Sequence, residues 1–400
     1  MNTAYRNNVK ESIFLFLLGL FSPLLATPLI LWSIYKKNLL SIYVLALLAA
    51  LLIGLMPPYA DNYHYYLIYK SAYTFDIHRW LITDKDFLFT LLSYIFNSFG
   101  LSYIQMRLFL IISEMFVFAW IFYDFTKEHI SYLDNRKCLW FVLICFFVLD
   151  IVFICFFIRY ALMATLLILS IYLFYKRQSF KACIILLASL SAHFSGLLFV
   201  PCILLAGLFR HNFPRSQRMI SMLICLGLGM SVFSFLYAFV PSILQADTYV
   251  TGAWSGFSAK SFNGMMFYIL QYYVIAGILA LWYLCAKTNN SYLSKIAFFM
   301  LLLFGSVCTF SELSQRVWWI AKIFVVFALL ETILVYSTNR AGLLKLYLLC
   351  ALLLFSQVMS LYGFREAIFD HSNLKHAVNL SSFIWEEPYD DAYFFHRSIQ

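Results

Sequence analysis

The sequence predicts an all-α polytopic membrane bundle of about twelve spanning helices, and three observations carry that prediction. Apolar and aromatic residues make up 63% of the 400-residue chain. Charged residues make up 12%, about half of what a soluble chain uses to cover its surface. The 43 Phe, 28 Tyr and 9 Trp suit a chain with many bilayer interfaces, where an apolar ring with a polar edge is well placed. The length alone would allow two or three soluble domains; the composition excludes them.

Each span must supply about 20 mostly apolar residues, because lipid offers no partner to an unpaired backbone amide. In chain order such runs fall at 12–33, 39–56, 103–123, 138–157, 160–175 and 180–195. Further runs fall at 197–209, 219–241, 265–286, 295–310, 317–337 and 343–362. The first is too long, and lacks a small-residue cleavage site, for a removable signal peptide, so it is expected to be retained. The stretch 86–99 (DFLFTLLSYIFNSF) is short enough to be re-entrant or interfacial. Residues 1–362 are expected to form one transmembrane bundle with external loops at 57–84 and 242–264, followed by an external tail over 363–400.

Orientation follows from the basic loops. Lys127, Arg136, Lys137, Lys176, Arg177, Lys181, Arg210, Arg215, Arg218, Lys287, Lys295, Arg340 and Lys345 all fall in alternate connections, which are therefore expected to be cytoplasmic. The opposite connections and the tail hold fewer: Arg159, Lys260, Arg316, Arg365, Lys375 and Arg397. If 86–99 does not span, the loop 57–84 is external and Lys36 and Lys37 are internal, which leaves Arg6 and Lys10 outside against the rule. In a soluble chain the net charge of +9 would suggest nucleic acid; clustered between apolar runs, it reads as topology instead. The nine cysteines lie in or beside apolar runs without metal-ligand spacing, so neither disulfides nor zinc is expected.

Within 57–84, the Pro57-Pro58 pair opens an expected interfacial helix. Tyr59, Tyr63, Tyr66, Lys70 and Tyr73 share a face expected to lie on headgroups, and Asp61 and His64 share another, toward the cavity of the bundle.

An ionisable group at membrane depth costs about 2.5–3.5 kcal/mol on insertion scales, so each one implies a partner, a wet cavity or a ligand. Arg159 (FFIRYALMAT) and His193 (LSAHFSG) lie on two runs joined by the basic turn 176–181. Counted along helices at 1.5 Å per residue, both sit about 22–27 Å from that turn, at the same external end. A snorkelling arginine and a backbone-bonded histidine would give the same pattern. Glu312 and Arg316, four apart in SELSQRVWW and followed by Trp318 and Trp319, fit either a site or an interfacial ion pair with an aromatic anchor. Arg107 and Glu114 fall two turns apart in the external half of their helix, and Glu114 is expected to meet a partner inside the bundle. Asp150 and Glu331 are expected to be structural partners.

Arginines at the external ends of separate helices, with a carboxylate and a histidine, suggest an anion site, because a guanidinium stays charged and its fork of donors fits phosphate oxygens. A lipid phosphate or diphosphate suits such a cavity. No Gly-rich phosphate loop, HExxH, GxSxG or CxxC is present. Asp61 or His193 could serve as general base on a hydroxyl while arginines stabilise a departing diphosphate, with no metal and no cofactor.

The segment YADNYHYYLIY, then IRYALMATLLILSIYLFYKRQSFKACIILLASLSAHFSGLLFVP, then ELSQRVWW resembles the Wzy-type and EpsG-like polysaccharide polymerases over roughly residues 55–205 and 305–325. Arg159, His193 and Arg316 match motif positions, and Asp61 falls in the matching loop. The resemblance implies a broadly GT-C-like bundle in a bacterial inner membrane with its active site facing the periplasm. It implies an O-antigen or capsule repeat-unit polymerase that moves a growing glycan from undecaprenyl diphosphate to a lipid-linked repeat unit. Arg159 and Arg316 would hold the diphosphate, with Arg107 as a lesser candidate and Glu312 and His64 in support. The implied partners are the lipid-linked oligosaccharide, the bilayer, and a chain-length regulator and a flippase of the same pathway, with no nucleic acid. A flippase for the same lipid-linked sugars and an O-antigen ligase remain alternatives. The flippase is disfavoured by the lack of an internal repeat and by polar groups gathered at one end.

Overall fold

The computed structural model describes residues 3–54, 56, 62–72, 86–209, 211, 213–239, 269–288, 290–308, 311–337 and 339–363. Asp61, most of the loop 57–84, the loop 242–264 and the tail from 364 lie outside them. The regular structure among the described residues is all helical, with no strand.

The first half holds α1 (Thr3–Phe21), α2 (Pro23–Tyr35), α3 (Ser41–Gly54), α4 (Asn62–Ser71), α5 (Phe87–Ser98), α6 (Tyr103–Glu128), α7 (Asn135–Phe147), α8 (Ile151–Phe156), α9 (Ile158–Tyr175) and α10 (Ser179–Ala192). A 3₁₀ segment (Phe194–Phe199) leads into α11 (Val200–Leu208), followed by α12 (Arg215–Phe239). A π-helical turn (Ile269–Val274) opens α13 (Ile275–Cys285), and α14 (Tyr292–Val307), α15 (Ser311–Tyr336) and α16 (Asn339–Gly363) complete the order.

Four helices among the described residues are long and apolar enough to cross a membrane: Tyr103–Glu128, Ile158–Tyr175, Glu312–Tyr336 and Arg340–Leu361. Other apolar segments are shorter, at 10–17 residues. Several runs that read as single spans are broken. The run 12–33 divides at Ser22, where Pro23 starts α2 in the position that needs no amide donor. The run 138–157 divides at Asp150, whose Oδ1 accepts the Val152 amide (3.2 Å) and so caps the short α8. Hydropathy does not register such breaks, because the residues on both sides stay apolar.

The Asp150 break is held from outside. Ser360 Oγ donates to Asp150 Oδ1 (3.0 Å), and Gln357 Nε2 donates to the carbonyls of Phe147 (3.1 Å) and Leu149. A buried carbonyl left without a donor costs about 1–3 kcal/mol. Gln357→Ala is therefore expected to destabilise the α7–α8 corner by about that amount, read as a lower unfolding temperature of the detergent-solubilised protein; an unchanged temperature would show that the corner does not depend on this clamp.

The residues of α15 from Val317 to Leu330 are all buried, so this helix is the axis about which the others pack. Helices α6 and α9 run side by side in the same direction. Their register shows in the Tyr172 hydroxyl to Asp124 (2.8 Å) and Lys176 to Glu128 (3.3 Å), while Arg107 of α6 meets Cys155 of α8 just before α9 begins. Helix α10 returns along α9, with Ser170 Oγ donating to Ala182 O and Ser189 Oγ to Met163 O, both at 2.8 Å. The small buried residues Ala161, Ala164, Ala182 and Ala192 let the two backbones approach. That antiparallel register sets Arg159 and Tyr160 opposite His193.

Helix α5, at 12 residues, rises about 18 Å and is too short to cross about 30 Å of hydrocarbon. One of its faces buries Thr90, Ser93 and Asn97, and Asn97 Nδ2 donates to Tyr69 O of α4 (3.0 Å). The headgroup assignment for Tyr66 does not hold: Tyr66 is buried edge-on against Tyr103 (5.9 Å), and the Lys70 ammonium lies over its ring (5.0 Å). His64 is exposed.

Candidate active site

Three of the sequence-derived residues meet at the end of the bundle opposite the Lys176 turn. Arg159 stands on the first turn of α9, His193 on the link between α10 and the 3₁₀ segment, and Arg316 on the second turn of α15. Arg159 and His193 converge on a residue that hydropathy did not single out, Asp86, which precedes α5, and Arg316 joins them through Tyr160. Asp86 Oδ2 lies 2.6 Å from Arg159 Nη1, and Oδ1 lies 3.8 Å from His193 Nδ1 and accepts the Phe194 amide (3.2 Å). Asp86 is buried and Arg159 keeps part of its side chain exposed.

The position of Asp86 is unusual for its residue type. An aspartate just before a helix ordinarily accepts an amide of the first turn. Asp86 makes no such bond with α5, and its carboxylate crosses to α9 and α10 instead. A local preference forgone in this way marks a site under a different demand.

His193 has an extended backbone that ends α10. Its Nδ1 accepts the Ser195 amide (3.2 Å), with Ser195 Oγ also at 3.1 Å. With Nδ1 accepting, a neutral His193 carries its proton on Nε2 and offers a donor there. His193 lies between α10 and the next helical segment. Burial first, then the Arg159 and Arg316 charges, pushes its imidazole well below the ordinary histidine range, so the neutral form prevails at physiological pH.

Tyr160 ties the third element in. Its hydroxyl donates to Arg316 O (2.8 Å), the Arg316 guanidinium lies over its ring (5.4 Å), and the ring meets His193 edge-on (5.9 Å). Arg159 in turn lies over the Tyr65 ring of α4 (5.4 Å). Beneath, Trp319 stacks on Phe153 (5.5 Å) and packs against Tyr160 (6.1 Å), closing the floor with aromatic surface. Both guanidiniums are thus oriented by aromatic faces. Tyr160→Phe keeps the stack and removes one hydrogen bond worth about 1 kcal/mol, or about fivefold. It should lower turnover by roughly that factor, whereas Tyr160→Ala should lose far more; equal losses in a rate measurement would contradict a supporting role for the ring.

Arg107 is placed differently from the expectation that it joins the anion site. It is fully buried, and its terminal nitrogens donate to Gly54 O (3.1 Å), Met56 O (2.7 Å) and Cys155 O (3.3 Å), with Cys155 Sγ at 3.1 Å. Its fork is occupied by main-chain acceptors at the ends of α3 and α8. Asn62 acts in the same region: its Nδ2 donates to Phe156 O (3.2 Å), and its Oδ1 accepts the Tyr103 hydroxyl (2.9 Å). Together they hold the end of α8 three residues before Arg159. Glu312 is half-buried in the first turn of α15, where a carboxylate complements the helix dipole.

Glu114 also departs from expectation. It is buried, and neither carboxyl oxygen has a hydrogen-bond partner among the described residues. Glu331 accepts from Ser291 Oγ (2.6 Å), near the opposite end of the bundle.

Two guanidiniums, a carboxylate and a neutral imidazole donor therefore share one end of the bundle, carried by helices 157 residues apart in the chain. The two guanidiniums present forks of donors that fit the oxygens of an anion. No curated protein and no solved structure matches the chain. Residues 39–373, which include Asp86, Arg159, His193 and Arg316, match the EpsG family, and the chain belongs to that family.

Proposed function

We propose that this protein is an inner-membrane repeat-unit polymerase of the GT-C-like kind. It transfers a growing glycan from undecaprenyl diphosphate to a lipid-linked repeat unit on the periplasmic side. The EpsG family is associated with glycosyltransferase-like polymerase activity in polysaccharide biosynthesis. The observation that carries the reading is the convergence of Arg159 and Arg316, from helices far apart in sequence, on one partly buried polar cluster. Buried charge of this kind is retained where a ligand uses it.

In the reaction, the acceptor hydroxyl oxygen bonds to the anomeric carbon of the donor as the bond from that carbon to the diphosphate oxygen breaks. The electron pair leaves with the diphosphate, and Arg159 and Arg316 stabilise the charge that develops there. This calls for no metal, since the guanidiniums supply the positive charge. His193 presents its Nε2–H to an anionic oxygen. Because its Nδ1 is already engaged, the hydroxyl proton is better taken by a carboxylate, Asp61 or Asp86.

The test is Arg316→Ala in cells that lack the wild-type gene. At normal protein level, long chains should disappear and single lipid-linked repeat units should accumulate. A normal chain-length ladder would overturn the assignment, and substrate stranded on the cytoplasmic face would favour a flippase.

A further inference from the structure

A concave feature of different character lies at the other end of the α9–α10 hairpin, beside the turn 176–181. Helices α6, α9 and α10 enclose a groove of about 400 Å³, within the size range of small-molecule sites. Phe116 and Trp120 of α6, Leu169 and Leu173 of α9 and Ile184 of α10 line it, together with Lys181 on the first turn of α10. Trp120 meets Tyr172 edge-on (5.7 Å), which holds α6 against α9 here. Phe116 and Ile184 are exposed, so the groove opens outward from the bundle. Counted along α9 at 1.5 Å per residue, Leu169 lies about 10 Å from Lys176. The groove therefore runs from the level of the turn into the apolar layer.

The charges at this end are engaged unequally. Lys176 is held by Asp124 (2.9 Å) and Glu128 (3.3 Å), and Asp124 also accepts the Tyr172 hydroxyl (2.8 Å). Lys181 and Arg177 make no hydrogen bond or ion pair with any described residue. An apolar slot alone takes any hydrocarbon, and a lone lysine can snorkel to any headgroup. Slot and free cations side by side specify both ends of one molecule, a hydrocarbon chain with an anionic head. A zwitterionic head brings its own cation beside its phosphate and so offers Lys181 no net charge. A partner helix would have to bring a carboxylate to this level.

We propose that the groove binds one anionic glycerophospholipid, with an acyl chain in the apolar slot and its phosphate on Lys181 and Arg177. Basic pockets between membrane helices take anionic headgroups in this way. The lipid braces α10 against α6, and α10 ends at His193, so its binding stabilises the hairpin that carries Arg159 and His193. It binds whether or not the protein forms polymer.

The experiment titrates the full-length protein in detergent with dioleoyl phosphatidylglycerol or dioleoyl phosphatidylcholine and counts bound lipid by native mass spectrometry. Phosphatidylglycerol should bind more tightly by about fivefold or more, and should raise the unfolding temperature. Lys181→Gln should lose about fivefold of that affinity, the worth of one cation at an anionic surface, and Lys181→Arg should keep it. Ile184→Trp fills the slot, leaves both cations in place, and should also weaken phosphatidylglycerol binding. Equal binding of the two lipids, or wild-type affinity in Lys181→Gln, would overturn the proposal. Unchanged affinity in Ile184→Trp would show attraction by surface charge alone and overturn the groove as the site. A dimer that forms without lipid and is split by Ile184→Trp would assign the groove to a second copy, which also overturns it. Lys181 is exposed, so Lys181→Gln leaves the packing intact and decides alone if Ile184→Trp does not fold.

Discussion

Arg159→Ala is expected to abolish polymer formation and to lower the stability of the folded protein at the same time. The chemical loss follows from removing a donor aimed at the departing diphosphate, an effect of about 10²–10³ in rate for one such group. The stability loss follows from leaving Asp86 buried without the guanidinium 2.6 Å from Oδ2. Breaking a buried pair by removing one partner costs about 3–5 kcal/mol, and the partial exposure of Arg159 puts this case toward the lower end. The two losses separate in the double variant. Adding Asp86→Asn to Arg159→Ala removes the buried negative charge, so protein yield and unfolding temperature should recover. Recovery of polymer in the double variant would mean that Arg159 serves only to neutralise Asp86. Unchanged stability in the single variant would mean that the pair contributes little to the fold.

Arg107→Ala is expected to act almost wholly on folding. It leaves the carbonyls of Gly54, Met56 and Cys155 without the donors that now meet them, at about 1–3 kcal/mol for each buried acceptor that water cannot reach. The folded protein should fail to accumulate. Arg107→Lys should not restore it, because one ammonium lacks the planar fork that serves acceptors on two separate segments. The measurement is the yield of monodisperse protein after solubilisation. Normal yield combined with loss of polymer would instead return Arg107 to the anion site.

How far the sequence reveals this molecule depends on whether a feature is local. The α9–α10 hairpin was legible because a basic turn divides two apolar runs, and counting residues from that turn brings Arg159 and His193 to the same level. Arg316 was legible as a costly charge on a helix rich in apolar residues. Asp86 was not, because an aspartate before a short apolar helix already has an ordinary explanation as a cap. Nothing in helical periodicity links it to residues 73 and 107 positions further on. Arg107 and Arg159 look alike as isolated charges at helix ends, and only the backbone acceptors contributed by α3 and α8 tell them apart. The breaks inside the apolar runs were hidden for a related reason. Pro23 and Asp150 interrupt apolar runs without changing their hydropathy, and the capping bonds that stabilise the interruptions come partly from α16, more than 200 residues away. Glu114 shows the reverse failure: a partner was expected on energetic grounds, and none of the described residues supplies it.

The most direct test of the transferase claim is a product balance with the purified protein and lipid-linked repeat units. One polyprenyl diphosphate should be released for every glycosidic bond formed, with both products lost in Arg316→Ala. Lipid-linked sugars that cross the bilayer unaltered, or chains that lengthen without release of the diphosphate, would contradict it.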